Sequence, residues 1–231
     1  MDEAHGPLPG LLLVLTAVTG LVDAVSYLQL GRVFVANMTG NVVFLGFAVA
    51  DAPAFSLSAS LAALAAFLVG AFVGGTIGAR VGRHRARLLA VSTGIQVVFV
   101  GAALALALAI AGPVAQGRPV GYALIVLLAL AMGLQNATAR RLAVPDLTTT
   151  VLTMTLTGFA ADASLAGGKQ PRAVRRLQAA ATMWLGAATG ALLLPHAGIA
   201  AVLGLALALL VFTGMAGVRH WASSAAWTPG P

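Results

Sequence analysis

The sequence predicts an all-α integral membrane protein with about six transmembrane helices (six to eight), two short broken or half-helix segments and a two-fold inverted internal repeat. Three observations predict it. The chain is 60% hydrophobic and only 8% charged over 231 residues, with a mean hydropathy of +0.98, whereas soluble domains carry roughly 25% charged residues. Its long apolar runs approach the ~20 residues a helix needs to cross the hydrocarbon core. Finally, Gly20-Leu-Val-Asp-Ala24 matches Gly133-Leu-Gln-Asn-Ala137, 113 positions further on.

Taken in order, full spans are expected near residues 8–30, 57–79, 88–112, 120–139, 177–194 and 199–218. Two further apolar runs, 42–50 and 147–165, are shorter or more polar, the second through its threonines. Each follows a stretch that does not read as helix. Residues 31–37 read as extended, and Pro145 breaks the chain before Asp146. The third segment of each half carries small residues at every fourth position: Gly70, Gly74, Gly78 and Gly82 in one, Gly186 and Gly190 in the other. That spacing lets helices approach closely in lipid, either within one chain or across a homodimer. The whole chain, 1–231, therefore reads as a single transmembrane domain with pseudo-repeats of about 8–112 and 120–218.

Loop charges constrain how the halves sit. If all eight apolar runs crossed, basic residues would divide 6 against 7. If both short runs return to the side they came from, the division becomes 11 against 2, as the positive-inside rule expects. Crossing by the first short run alone gives 12 against 1, so charge leaves six and seven spans open. The matching of the halves favours six, with both termini cytoplasmic. The segment Met1-Asp-Glu-Ala-His5 lacks the positive region of a cleavable signal, so the first apolar run is expected to stay as a span.

Several function classes are excluded. The sequence has no cysteine, so it has no disulfide framework, thiolate metal site or cysteine nucleophile. The four histidines at 5, 84, 196 and 220 show no metal-ligand spacing. No nucleophile elbow, phosphate loop or paired-carboxylate signature is present, so neither an enzyme nor a cofactor is expected. The net charge of +7 sits in short loops that set orientation, which excludes nucleic acid as the expected partner. The expected partners are the lipid bilayer, a small-molecule or ion solute, and a second copy of the chain.

Candidate site residues cluster where the apolar pattern fails. Asp23 lies inside the first span, and an intramembrane carboxylate reads by default as a functional site. Thr16, Thr19, Asp23, Ser26 and Tyr27 share one helix face. The plain alternative for Asp23 is a buried pair with Arg140 or Arg141, because buried charges need partners. Asn37, Thr39 and Asn41 open the first short run. They supply neutral donors and acceptors to a solute, or else simply cap a helix at Asn37 or Thr39. Thr148, Thr149 and Thr150 hold the matching place in the second half, where threonines also bond to their own helix. Gln135 and Asn136 replace the carboxylate with amides there, and Tyr27 falls on Arg140. Arg140 and Arg141 read either as topology anchors or as a substrate-binding pair.

The combination of GLVDAVSYL, VFVANMTGN, GLQNATARRL and PDLTTTVLTMTLTG resembles the YoaK-like family of uncharacterised bacterial multi-pass membrane proteins, a domain of unknown function. The resemblance covers residues 8 to about 218 and implies an integral inner-membrane location, with no activity to transfer. Inverted halves with a broken helix in each are a recurring plan of secondary transporters. The expected function is therefore a small secondary transporter or permease-like protein. It would move a small polar or anionic solute, with Asp23 as a proton-coupling group. The competing expectation is a non-transporting assembly partner or sensor whose polar motifs are structural.

Overall fold

The computed structural model describes residues 5–50, 55–109, 119–144 and 173–230. Within them lie α1 (Leu8–Gln29), α2 (Met38–Val49), α3 (Leu57–Val81), α4 (Arg85–Ala109), α5 (Pro119–Leu142) and α6 (Ala173–Arg219). The second short run, with Thr148, Thr149 and Thr150, lies outside the described residues. No strand of more than an isolated bridge occurs among the described residues, and all the helices except α2 are long and apolar enough to cross a membrane. The chain is an all-α, multi-pass membrane protein.

α1 and α2 are separated by a reversal. α1 ends at Leu30, and Gly31 (φ 105°) and Arg32 (φ 54°) both take left-handed backbone conformations. Glycine does this freely and arginine rarely. The chain then runs back along α1 through buried Val33, Val35 and Ala36. α2 starts from there. Its 12 residues span about 18 Å, too little to cross a ~30 Å core. α3 starts more conventionally, with the Ser56 hydroxyl accepting the Ala59 N–H at 3.2 Å.

The sequence-expected spans 177–194 and 199–218 form a single assigned run of 47 residues, with Pro195 inside it and Gly198 at φ 74°. A straight helix of that length would be about 70 Å long, more than twice the core thickness. It is two limbs, and packing gives their directions. In the first limb (173–197), Gly186 lies against Ala17 and Gly190 against Leu21 and Ala24, so it runs parallel to α1. In the second (199–219), Gly214 lies against Thr93 and Gly217 against Ala86 and Ala90, so it runs antiparallel to α4. The limbs therefore form a hairpin that reverses at Gly198, whose left-handed φ supplies the turn three residues after Pro195 removes an N–H from the last turn of the first limb. With this hairpin counted twice, six limbs long and apolar enough to cross a membrane occur among the described residues.

The glycine faces are used within the chain. A methyl group at Gly20 would run into the Met183 carbonyl and the Ala187 amide; one at Gly133 would run into the Phe67 carbonyl and the Ala71 amide. Gly186 faces the Ala17 carbonyl and Gly70 the Leu130 carbonyl. Gly190 faces Leu21 and Ala24, and Gly74 faces Leu134 and Ala137. These contacts are the same set twice, with α1 positions 113 lower than those of α5, and α3 positions 116 lower than those of the first limb of α6. α1 thus packs on the first limb of α6, and α3 on α5. A homodimer has to use other surfaces.

One end of the bundle gathers most of the positive charge. It holds the ends of α3 and α5 and the start of α4, because Gly78 and Gly82 approach Arg141. The residues after α6 fold across the same end. Arg85 N–H donates to the Thr228 carbonyl (2.8 Å), Gly230 N–H to the Arg83 carbonyl (2.9 Å) and Arg87 Nε to the Trp221 carbonyl (2.9 Å). Trp227 packs under Gly6, which places the start of α1 there too. Arg80, Arg83, Arg85, Arg87, Arg140, Arg141 and Arg219 therefore share an end, and Arg32 lies at the opposite one.

Candidate functional site

The site is built where α1, the returning segment and α2 meet. Asp23 lies two turns before the end of α1, about 10 Å of rise inside it, and is buried. Val35 N–H and Ala36 N–H both donate to its Oδ1, at 3.0 and 2.9 Å. These groups belong to extended chain that has no helix or sheet to bond with, and at membrane depth an unpaired backbone group costs several kcal/mol. The carboxylate removes that cost and fixes how far the segment dips. The buried pair of Asp23 with Arg140 or Arg141 is therefore not formed: both arginines are exposed at the basic end, and backbone amides are the partners instead.

Asn41 repeats this device one step outward. Its Oδ1 accepts the Phe34 N–H at 2.9 Å and its Nδ2 donates to the Phe34 carbonyl at 2.6 Å. It is the one buried residue of α2. The two side chains together hold three consecutive residues, Phe34 to Ala36. Phe34 is held further by its neighbours: its ring stacks on Tyr27 at 4.9 Å and on Phe44 at 5.6 Å, and it fills the space a side chain at Gly40 would need.

Asn37 occupies the N-cap position of α2 as expected, but its side chain makes no cap bond. Asn37 is half-buried, Thr39 is exposed, and α2 opens beside Asp23 with the unpaired N–H groups that every helix start carries. Tyr27 is half-buried within the aromatic stack. Asp23 and Tyr27 thus lie near the end of α1, and Asn37, Thr39 and Asn41 at the start of α2.

The second-half candidates divide. Gln135 is fully buried and crosses to α1, where its Nε2 donates to the Leu15 carbonyl (3.1 Å) and to Thr19 Oγ1 (2.8 Å). Asn136 Nδ2 donates to the Met132 carbonyl at 2.9 Å. Arg140 projects from the basic end, away from Asp23. On α1, Thr16, Thr19 and Ser26 bond back to the carbonyls of Leu12, Leu15 and Asp23, the local bonding that such side chains favour in apolar helices. Sequence reasoning missed Ser92, Thr93 and Gln96, all fully buried on α4. Their signal was simply polar residues inside an apolar span. Among the described residues no group of acidic and histidine side chains could hold a metal ion by itself.

Comparison with known proteins places the chain. Residues 11–216 match the family described as "Protein of unknown function (DUF1275)". The chain is also similar to the UPF0700 transmembrane protein YoaK of Bacillus subtilis (strain 168), at 34% identity over 156 residues, covering 66% of this chain and 65% of that protein. The match thus spans just under two thirds of that relative's length. No solved structure matches. The chain belongs to the DUF1275 family.

Proposed function

We propose that this member of the family is a small secondary transporter, or permease-like protein, of the cytoplasmic (inner) membrane, moving a small polar or anionic solute. The observation that carries the reading is the start of α2, which the chain reversal brings down beside Asp23. Half-helix ends at this depth, with positive dipole ends turned inward, are where such proteins bind solutes. Asn37 and Thr39 are the side chains in reach of a solute there. Two further features support the reading. The doubled glycine contacts are what an inverted repeat would produce, and the gathering of arginines at one end is what the positive-inside rule expects of a cytoplasmic face.

The arrangement also suggests how a proton could be coupled. An anion approaching the start of α2 meets the negative charge of Asp23. A proton on Oδ2 removes that repulsion while Oδ1 keeps both backbone bonds, so anion and proton bind together. The second reading, a non-transporting assembly partner or sensor, is favoured by the same two bonds, since a purely structural aspartate needs nothing more.

Proteoliposomes holding a pH dye test the choice, with pooled small carboxylates, phosphate and neutral metabolites as probes. The wild type is expected to show solute-driven proton movement. Asp23→Asn, whose amide oxygen can still accept both N–H groups, should stay folded, exchange labelled solute and lose the proton movement. Equal proton movement in both proteins would remove Asp23 from coupling.

A further inference from the structure

The closest helix pairs in the bundle are α1 with the first limb of α6 and α3 with α5, whereas α1 touches α5 only lightly. A seam therefore runs between the two pairs. Gln135 crosses it, donating to the Leu15 carbonyl and to Thr19. Because α1 starts and α5 ends at the basic end, the seam between that crossing and the basic end has residues 8–15 on one side and 135–142 on the other. Thr138 lies on the same face of α5 as Gln135, one turn nearer that end, and is fully buried.

Residues 220–230 tie the two pairs together at this end. The Trp227 ring packs against Gly6, just ahead of α1, and lies edge-on to His220 at 5.2 Å. On the other side the segment pairs with the turn between α3 and α4. Thr228 accepts the Arg85 N–H there, and Gly230 donates to the Arg83 carbonyl. His84 Nε2 donates to the Ser223 carbonyl at 3.0 Å, since a carbonyl can only accept. A methyl group at Gly230 would run into the Gly82 carbonyl, and Gly82 also receives the Arg141 side chain from the end of α5.

The hold is of a releasable kind. Residues 220–230 contain no acidic side chain, so none of them forms an ion pair with the arginines they cross. The links are single hydrogen bonds at the end of the bundle, where water can replace them, and one buried ring, Trp227. The segment is also folded on itself: Thr228 Oγ1 donates to the Ser223 and Ala225 carbonyls, and its N–H to Ala225. A segment held by so few contacts opens at lower free energy than helices whose bonds lipid shields.

We propose that residues 220–230 are a releasable clasp, which keeps the seam between α1 and α5 closed at the basic end and lets it part when Trp227 leaves Gly6. The clasp thereby decides when the interior is reached from that side, since such bundles give access by moving one packed unit against another. The inference depends on no solute and its test reads accessibility, so it and the flux test fail separately.

The test exploits the absence of cysteine from the chain. Thr138→Cys places a thiol in the seam, and its reaction with a water-soluble maleimide in nanodiscs is read by peptide mass spectrometry. His84 and Pro229 are the non-hydrogen-bonded pair of an antiparallel bridge, which sets Cα atoms about 4.5 Å apart, within reach of a disulfide. His84→Cys with Pro229→Cys therefore lets oxidation lock the clasp. Locking is expected to suppress labelling at Thr138→Cys several-fold, and reduction to restore it. Because labelling tracks the open population, Trp227→Ala should raise it by about tenfold. Leu124→Cys, buried near the opposite end of α5, should respond to neither change. If Trp227→Ala does not fold, the lock alone decides. Labelling at Thr138→Cys that locking leaves unchanged would overturn the proposal. So would equal changes at Thr138→Cys and Leu124→Cys, which would make the segment a general brace of the fold.

Discussion

The GLVDA stretch of α1 and the GLQNA stretch of α5 pack alike and differ in chemistry. Gly20 and Gly133 each touch the backbone of a parallel helix, and Ala24 and Ala137 each face a glycine of that helix. Between them, Val22 is buried among apolar neighbours while Gln135 reaches across to α1. Asp23 holds a returning chain segment, while Asn136 bonds to the Met132 carbonyl one turn earlier in its own helix. Small residues therefore fix the frame in both places, and the polar positions beside them are free to diverge because they do not set the helix spacing.

Substitutions can break this comparison at each level. The largest effect is expected at the frame. Gly133→Leu and Gly20→Leu force a side chain into backbone atoms, which cannot rotate aside as a side chain can. Each should cost about 3 kcal/mol or more and abolish the monodisperse peak in size-exclusion chromatography. Gly75→Ala serves as control, because nothing lies within 4 Å of a methyl group there. Equal loss at Gly20 and Gly133 would sharpen the equivalence, and loss at only one would break it.

A smaller and asymmetric effect is expected at the polar positions. Asp23→Ala leaves two buried N–H groups unpaired, at roughly 1–3 kcal/mol each, whereas Asp23→Asn keeps an acceptor and should lose well under half as much. Asn136→Ala should be milder than Asp23→Ala in thermal unfolding of the full chain. A pattern in which Asp23→Asn is as damaging as Asp23→Ala would mean that charge, not hydrogen bonding, holds the segment. The smallest effect is expected for Gln135→Leu. It breaks two interhelical bonds, each worth about 0.6 kcal/mol in membranes, but also removes an unpaired carbonyl, so the melting temperature should move by only a few degrees.

What could be read from the sequence follows the same division. Spans were legible because lipid imposes length and apolarity residue by residue: 8–30 became Leu8–Gln29 and 57–79 became Leu57–Val81. The run expected from 88 begins three residues earlier, at Arg85, because Arg85 and Arg87 can enter the first turn of a helix whose end lies at the interface. The short helix, expected at 42–50, begins four residues earlier at Met38, since the polar Asn37–Asn41 stretch is itself its first turn. Asp23 was legible as special, but its partner was not. A search for partners among charged side chains could not find two backbone amides twelve and thirteen residues away. Nor could spacing reveal that Gln135 bonds to α1, because that contact depends on how two helices cross.

The exchange of helices between halves has a consequence for how the protein is made. Membrane chains are inserted as they are synthesised, and α1 leaves the ribosome long before the first limb of α6 exists. In the interval its Gly20 face has no partner, and the partner it awaits is almost the last helix to appear. α3, by contrast, waits only for α5. The amino-terminal half expressed alone would therefore contain neither of its close helix pairs, and the same holds for the other half. Each half completes the other, so a gene divided between α4 and α5 should give a working protein only when both fragments are produced in the same cell.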